Sequence, residues 1–331
     1  MVSKNISKIC VVGAGKWGIN HIKTLYDLGS LGGVVDNDPS KLDFVKKKFS
    51  RCDIYDDLDI ALMDNFDGFV VSTPPAMHYE IAKKIILKKN HVLIEKPMTL
   101  DYKSSLELCA LASDMNVNLM VGHLLLFHPA FQKMKKLVES GHIGEIQYIY
   151  SNRLNLGTIR DNENVFWSLA PHDISLFNFF FEESPISILA DGLDVFGNHI
   201  HDTSITTFKY KNNKMGHIFV SWLHPFKEHR FVLVGSKGML HFEDSIDNKP
   251  IIFHDKVVDS VNGKLVAREG DIKKINYPYI KPLTNQLKYF ISKLNGEKIE
   301  LCSGRSGALV VKILEETSKK LNDEDIANEF I

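Results

Sequence analysis

The sequence predicts an α/β protein: a doubly wound parallel sheet in the N-terminal part, then an α+β part built on a large open, mostly antiparallel sheet. Three observations carry this. Residues 8–122 alternate short apolar runs with amphipathic stretches; a glycine-rich turn follows the first run; and past residue 123 the runs lengthen and are separated by turn-like clusters. The first runs are Ile9-Cys10-Val11-Val12, Gly33-Val34-Val35, Gly68-Phe69-Val70-Val71, Val92-Leu93-Ile94 and Leu119-Met120-Val121. Each is too short for a helix and lacks polar alternation, the pattern of parallel strands covered on both faces. Helices are expected between them over 17–28, 39–49, 78–89 and 101–115.

In the second part, strands are expected over 144–152, 203–210, 216–222 and 231–234. Lys211-Asn212-Asn213-Lys214 and Gly235-Ser236-Lys237-Gly238 read as hairpin turns. Two terminal helices, over 281–294 and 306–321, are expected to close the chain. At 331 residues two domains are the natural expectation: 1–122 for a dinucleotide and 123–331 for a substrate and for self-association, with the C-terminal helices able to pack back on the first.

Forty Lys and Arg against 41 Asp and Glu leave a net charge of -1, so no excess positive field draws nucleic acid or an anionic membrane. No run of about 18 apolar residues exists to span a bilayer. Met1 to Cys10, with Lys4 and Lys8, lacks the long apolar region of a signal peptide. A cytoplasmic protein with a small-molecule partner is expected. Cys10, Cys52, Cys109 and Cys302 lie far apart, without metal or disulfide spacing, and are expected to be reduced. The histidines show no metal spacing either.

Gly13-Ala14-Gly15-Lys16-Trp17-Gly18 follows the first strand and opens a helix, and Asp36 ends the second strand 18 positions beyond Gly18. In this Rossmann pattern Gly13 permits the tight turn, Gly15 lets the backbone approach a pyrophosphate, and Gly18 lets helix and strand pack. Asp36 would take the adenosine ribose hydroxyls and repel a 2′-phosphate. Asn37 follows in place of an arginine, so NAD is expected rather than NADP; Lys41 is the one cation nearby that a 2′-phosphate could use. The competing reading is a structural turn with Asp36 capping the next helix.

Two more clusters stand at strand ends, where open α/β sheets bind ligands. One is Ser72-Thr73-Pro74-Pro75-Ala76-Met77-His78, whose prolines force an extended loop. The other is Glu95-Lys96-Pro97, where the lysine amine either enters the cleft, its pKa lowered by a cationic nicotinamide, or pairs with Glu95 at the surface.

In this order the residues resemble the glucose-fructose oxidoreductase, inositol dehydrogenase and rhizopine catabolism family, Gfo/Idh/MocA, over nearly the whole chain. The resemblance implies cofactor contacts from Gly13, Gly15, Lys16, Trp17, Gly18, Asp36, Asn37, Ser72, Thr73, Pro74, His78, Glu95, Lys96 and Trp167. It places Lys96 against both substrate and nicotinamide. It also puts the acid/base histidine on His172, but Ser168 stands where the family usually has an aspartate, so Asp173 takes the orienting role or none does. An imidazole with a pKa of about 6.5 suits proton exchange with a sugar hydroxyl near neutral pH; the alternative is that Pro171-His172-Asp173 only starts a helix.

His123 and His128 flank the passage between the two parts, and His128-Pro129 could simply begin a helix. Arg153, Asn155 and Arg160 could hold an anionic or hydroxyl-rich substrate, together with His123, His172 and Asp173. Residues 152–157, 171–173 and 221–225 resemble the branch of the family that acts on nucleotide-linked amino sugars. That implies oxidation of a C3 hydroxyl to a 3-keto sugar by hydride transfer to NAD, with an aminotransferase next, in a homodimer or homotetramer. A keto-deoxysugar reductase, a polyol or inositol dehydrogenase and a non-catalytic cofactor-binding regulator remain open.

Overall fold

A computed structural model describes residues 7–322; residues 1–6, with Lys4 of the N-terminal stretch, and 323–331 lie outside the described residues. The chain divides into two compact units, one running to Phe127 and joined by Ile280–Lys312, the other His128–Tyr279 with the chain from Ile313 onward.

The first unit is built from β1 (Ile9–Val12), α1 (Gly18–Asp27), β2 (Leu31–Val35), α2 (Pro39–Lys48), β3 (Asp53–Tyr55), α3 (Leu58–Ala61), β4 (Gly68–Val71), α4 (His78–Leu87), β5 (His91–Ile94), α5 (Tyr102–Asp114) and β6 (Leu119–Val121). All strands pair in parallel, in the order β3-β2-β1-β4-β5-β6. The chain reverses direction across the sheet between β1 and β4, which leaves a crevice at their C-terminal ends. The five expected strands are present, because β1, β4 and β6 are buried at every residue. The short edge strand β3 escapes the sequence pattern, since Asp-Ile-Tyr forms no apolar run.

Helix starts follow from local chemistry. Asp38 accepts from Ser40 N at 2.9 Å with Pro39 in the first turn of α2, and Asp101 accepts from Ser104 N at 2.7 Å at the start of α5.

The second unit holds α6 (Pro129–Glu139), β7 (Ile146–Leu156), α7 (Val165–Leu169), α8 (Pro171–Phe181), β8 (Ser187–Leu193), β9 (Thr203–Lys209), β10 (Met215–Ser221), β11 (Leu223–Gly235), β12 (Met239–Glu243), β13 (Ile251–Val261) and β14 (Lys264–Ile275). Two further helices follow, α9 (Pro282–Ser292) and α10 (Gly304–Asn322). The sheet runs β14-β13-β12-β11-β7-β10-β9-β8, and only β7 and β10 pair in parallel. Both expected hairpins form: Asn212 and Asn213 hold left-handed φ of 55° and 57° between β9 and β10, and Gly235 N donates to Gly238 O at 2.9 Å between β11 and β12.

Helix α8 seats Phe177 on this sheet, against Phe208 and Phe231 with ring centroids 5.9 Å apart in each pair. Gly216 makes room, since a Cβ there would stand 2.6 Å from the Phe177 ring. The opposite face leaves Tyr148, Tyr150 and His217 half-buried, with Tyr150 stacked on His217 at 5.3 Å. No helix of the described residues is long and apolar enough to cross a membrane. Phe177→Ala is expected to cost about 3–5 kcal/mol, read as a lower urea midpoint with the cofactor unit intact; a loss near zero would mean that α8 does not depend on this ring.

Candidate active site

The glycine turn leaves β1 at the crevice, and each glycine has a separate reason to be there. Gly13 sits at φ 99° with its would-be Cβ 2.9 Å from Ser72 O, while a Cβ on Gly18 would fall 2.0 Å from Gly13 O. Gly15 meets nothing within 4 Å, so its backbone faces open space. A cavity of about 450 Å³ lies between Ala14, Gly15 and Lys16 of the turn and Ser40, Lys41 and Phe44 of α2.

Asp36, at the end of β2, holds the glycine turn to Lys41 of the cavity wall. Its carboxylate accepts from Ala14 N at 2.7 Å and Asp38 N at 2.9 Å, and Lys41 Nζ approaches to 3.2 Å, so the lysine is drawn to the carboxylate. Asn37 beside it is exposed. Open backbone at Gly15, the α1 N-terminus and a carboxylate at the end of β2 fit a dinucleotide: the turn would hold the pyrophosphate and Asp36 the ribose.

After β4, Ser72 Oγ donates to Gly13 O at 2.9 Å, which ties the second loop to the glycine turn. Thr73 is half-buried and Pro74 exposed. His78, expected on the cofactor, is turned into the protein. Its Nδ1 lies 2.9 Å from Pro97 O and its Nε2 2.9 Å from Thr73 O, and it is 1% exposed. It braces the Thr73 loop against the Lys96-Pro97 corner, both of its ring nitrogens being occupied by backbone.

That corner hangs on Glu95. Trp17 Nε1 donates to its Oε1 at 2.8 Å, His21 Nε2 lies 2.7 Å from the same oxygen, and Lys96 N reaches Oε2 at 3.2 Å. Burial pushes the Glu95 pKa up, but His21, Trp17 and the Lys96 amide outweigh it and hold the carboxyl below its ordinary value. His21 was missed in the sequence; the signal was its place four residues after Trp17, on the same face of α1. The Glu95 carboxylate is thus fixed by α1 and by the Lys96 amide, and the half-buried Lys96 follows directly at the C-terminal end of β5. His123, just past β6, is 1% exposed, and burial, helped by the Lys96 charge and opposed by Glu95, pushes its pKa down to about 4. Neither of its ring nitrogens has a partner among the described residues.

In the second unit Arg153 on β7 meets Asp173 on α8 in a two-pronged pair, Nε to Oδ2 at 2.7 Å and Nη2 to Oδ1 at 2.9 Å. Ser151 Oγ adds a bond to Asp173 Oδ1 at 2.6 Å. Arg153 was expected to be open to an anionic substrate; its guanidinium is instead committed to Asp173. The Asp173 carboxylate is in turn engaged by Arg153 and Ser151. His172 precedes it in the first turn of α8, half-buried, and Ser168 in α7 is buried.

Trp167, expected on the cofactor, donates its Nε1 to Ser318 Oγ at 2.7 Å. Arg160 is exposed and pairs with Glu163 at 2.8 Å, while Asn155 is half-buried on β7. His128 caps α6, its Nδ1 accepting from Ala130 N at 3.1 Å, as the helix-start reading had it. Among the described residues no group of three or more His, Cys, Asp or Glu is arranged to hold a metal ion.

A parallel sheet with a glycine turn after β1, a carboxylate after β2 and a lysine corner after β5, all at the C-terminal ends of its strands, defines a dinucleotide-dependent oxidoreductase. Comparison with known proteins agrees. Residues 7–123 match the oxidoreductase family with an NAD-binding Rossmann fold, and residues 131–241 match the GFO/IDH/MocA C-terminal domain. The chain belongs to the Gfo/Idh/MocA family, and its first unit is an NAD-binding domain.

Among its relatives, UDP-N-acetylglucosamine 3-dehydrogenase of Acidithiobacillus ferrooxidans is 28% identical over 55% of this chain and 57% of its own length. Myo-inositol 2-dehydrogenase of Thermotoga maritima is 23% identical over 96% of this chain and 97% of its own. Among solved structures, the Acidithiobacillus enzyme superposes with a TM-score of 0.83 at 20% identity over 95% of this chain and 97% of that one. The WlbA dehydrogenase of Bordetella pertussis, in complex with NADH and UDP-GlcNAcA, gives 0.77 at 19% over 96% and 97%.

The depressed pKa of His123 has a consequence for stability. The unfolded chain takes up this proton near 6.5 and the folded chain only near 4, so the contribution is fully present above 6.5 and is lost as pH falls towards 4. In urea titrations across that range, His123→Gln is expected to flatten the acid-side decline in part, since His128 and His229 are also pushed to about 4. Identical slopes in the two proteins would rule out a neutral buried His123.

Proposed function

We propose that this dehydrogenase oxidises the C3 hydroxyl of a nucleotide-linked amino sugar, with UDP-N-acetylglucosamine as the leading substrate, and forms the 3-keto sugar nucleotide. The observation that carries the chemical half is the Glu95 anchor, which fixes the Lys96 corner through the helix that opens at the glycine turn. The substrate half is supported by the likeness to UDP-N-acetylglucosamine 3-dehydrogenase and to WlbA.

Bound NAD supplies the hydride acceptor, held by the glycine turn, Asp36 and the Ser72-Thr73 loop. Lys96 and His172 handle the hydroxyl proton. Of the two, the His172 imidazole takes the proton as general base, and Lys96 steadies the oxygen as its negative charge grows. His123, held neutral, offers a hydrogen bond to a sugar hydroxyl. The remaining half-buried residues of β8, β9, β10 and β7 on the uncovered sheet face suit pairing with a second copy as a homodimer or homotetramer.

A second reading, a polyol or inositol dehydrogenase, is favoured by the Thermotoga relative, whose match spans nearly all of both chains. The two are separated by incubating the protein with NAD and a panel of UDP-N-acetylglucosamine, other sugar nucleotides, myo-inositol and glucose while following NADH absorbance. Turnover of the sugar nucleotide is expected. Turnover confined to free inositol or glucose would overturn the substrate, and cofactor binding with no turnover at all would return the chain to a regulatory role.

Lys96→Ala and His172→Ala should each lower kcat by roughly a hundredfold to ten-thousandfold while NAD affinity, followed by tryptophan fluorescence, stays within about twofold of the parent protein. Near-parental kcat in either variant would remove that residue from the proton's path.

A further inference from the structure

The second unit carries a cavity of about 660 Å³ away from the residues considered so far, within the usual range of about 300–1,000 Å³ for small-molecule sites. Two segments wall it, the turn after β12 at 246–250 and the chain leaving β14 at 274–279. Tyr277 is half-buried, and its hydroxyl donates to Lys249 O at 2.7 Å, so the two segments are tied together. Its ring packs 6.0 Å from His128 and 6.4 Å from Phe242. Tyr279 is 61% exposed beside it, an aromatic surface left uncovered at the cavity.

The polar groups are as particular as the aromatic ones. Lys249 and Lys274 bring two ammonium groups to the wall, while Asp247 and Asn276 bring hydrogen-bonding groups of the kind that suit ribose hydroxyls. Asn248 and Lys249 both hold left-handed φ, 60° and 37°, an arrangement that side chains avoid unless the surroundings impose it. Lys249 is steadied by Asp244 at 2.7 Å. Asp244 in turn lies within electrostatic reach of Arg153 and His229, next to the pair that holds Asp173 beside His172. A free hexose can lie on an aromatic wall but carries no charge for two cations to meet. A planar base joined to a diphosphate uses both.

We propose that this cavity is the nucleotide subsite of the second unit, taking the base against Tyr279 and the diphosphate on Lys249 and Lys274. The inference rests on the nucleotide-sugar reading and deepens it, because it assigns recognition of the nucleotide half to residues separate from Lys96 and His172. Arg153 is withdrawn from solvent in its two-pronged pair with Asp173, whereas Lys249 meets Asp244 through one contact and stays part-exposed, with further N–H donors for a phosphate oxygen.

The test uses the full chain saturated with NAD and takes UDP as the probe in calorimetric titrations. Tyr279→Ala and Lys274→Ala alter exposed side chains and should leave the circular dichroism spectrum and NAD affinity unchanged. Each is expected to weaken UDP about tenfold, and to raise KM for UDP-N-acetylglucosamine by a similar factor with kcat held.

Lys274→Arg, which keeps the charge, should recover most of the loss. Parental UDP affinity in both alanine variants, with UDP bound by the parent, would overturn the cavity assignment alone. A parent chain that oxidises free inositol and binds no UDP would overturn the substrate reading, and the cavity assignment with it.

Discussion

A single buried carboxylate, Glu95, sets the geometry of the first unit. Only 9% exposed, it accepts from Trp17, faces His21 and receives the Lys96 amide. A carboxylate taken out of water is stable only while such partners remain, and removal of one partner from a buried ion pair typically costs about 3–5 kcal/mol. Neighbouring residue choices follow from it. Gly122 must be a glycine because a Cβ would lie 2.8 Å from the Glu95 carboxylate, and helix α1 must present Trp17 and His21 on one face. The turn that would cradle the pyrophosphate and the corner that carries Lys96 are therefore positioned by the same atoms.

The second unit uses the Arg153–Asp173 pair in the same way. Both side chains are largely withdrawn from solvent, and the fork geometry satisfies both carboxylate oxygens while Ser151 adds a third donor. This pair joins β7 to the first turn of α8, the turn that bears His172. An arginine that looks available in the sequence is thus a strut.

Much of this was legible in the sequence, and the boundary between what was and was not is physical. Parallel strands covered on both faces must be continuously apolar, so β1, β4, β5 and β6 were visible to within a residue. Gly13 and Gly18 were visible because backbone sterics demand glycine there, and Asp36 because it stands at the end of β2 at the expected spacing from the glycine turn. The edge strand β3 and the exposed strand β14 were not, since solvent contact removes the apolar signature. The β13–β14 hairpin still announced itself at Asn262-Gly263, with φ of 52° and 77°, a turn signal that was overlooked. Among candidate site residues, the partners that Arg153, His78 and Trp167 take within the chain were not legible, because they are residues distant in sequence, Asp173, Pro97 and Ser318.

Burial decides what chemistry the His123 imidazole can offer. His123 sits beside both Glu95 and Lys96, and desolvation holds it neutral until about pH 4. A group with so low a pKa gives little driving force for removing an alcohol proton, because the efficiency of a general base rises with its basicity until the pKa approaches the working pH. A neutral imidazole can still donate from one nitrogen and accept at the other. A hydroxyl set against His123 would therefore be oriented by it rather than deprotonated. The same desolvation that disqualifies His123 as a base would strengthen a hydrogen bond formed at either ring nitrogen, since no water competes for it.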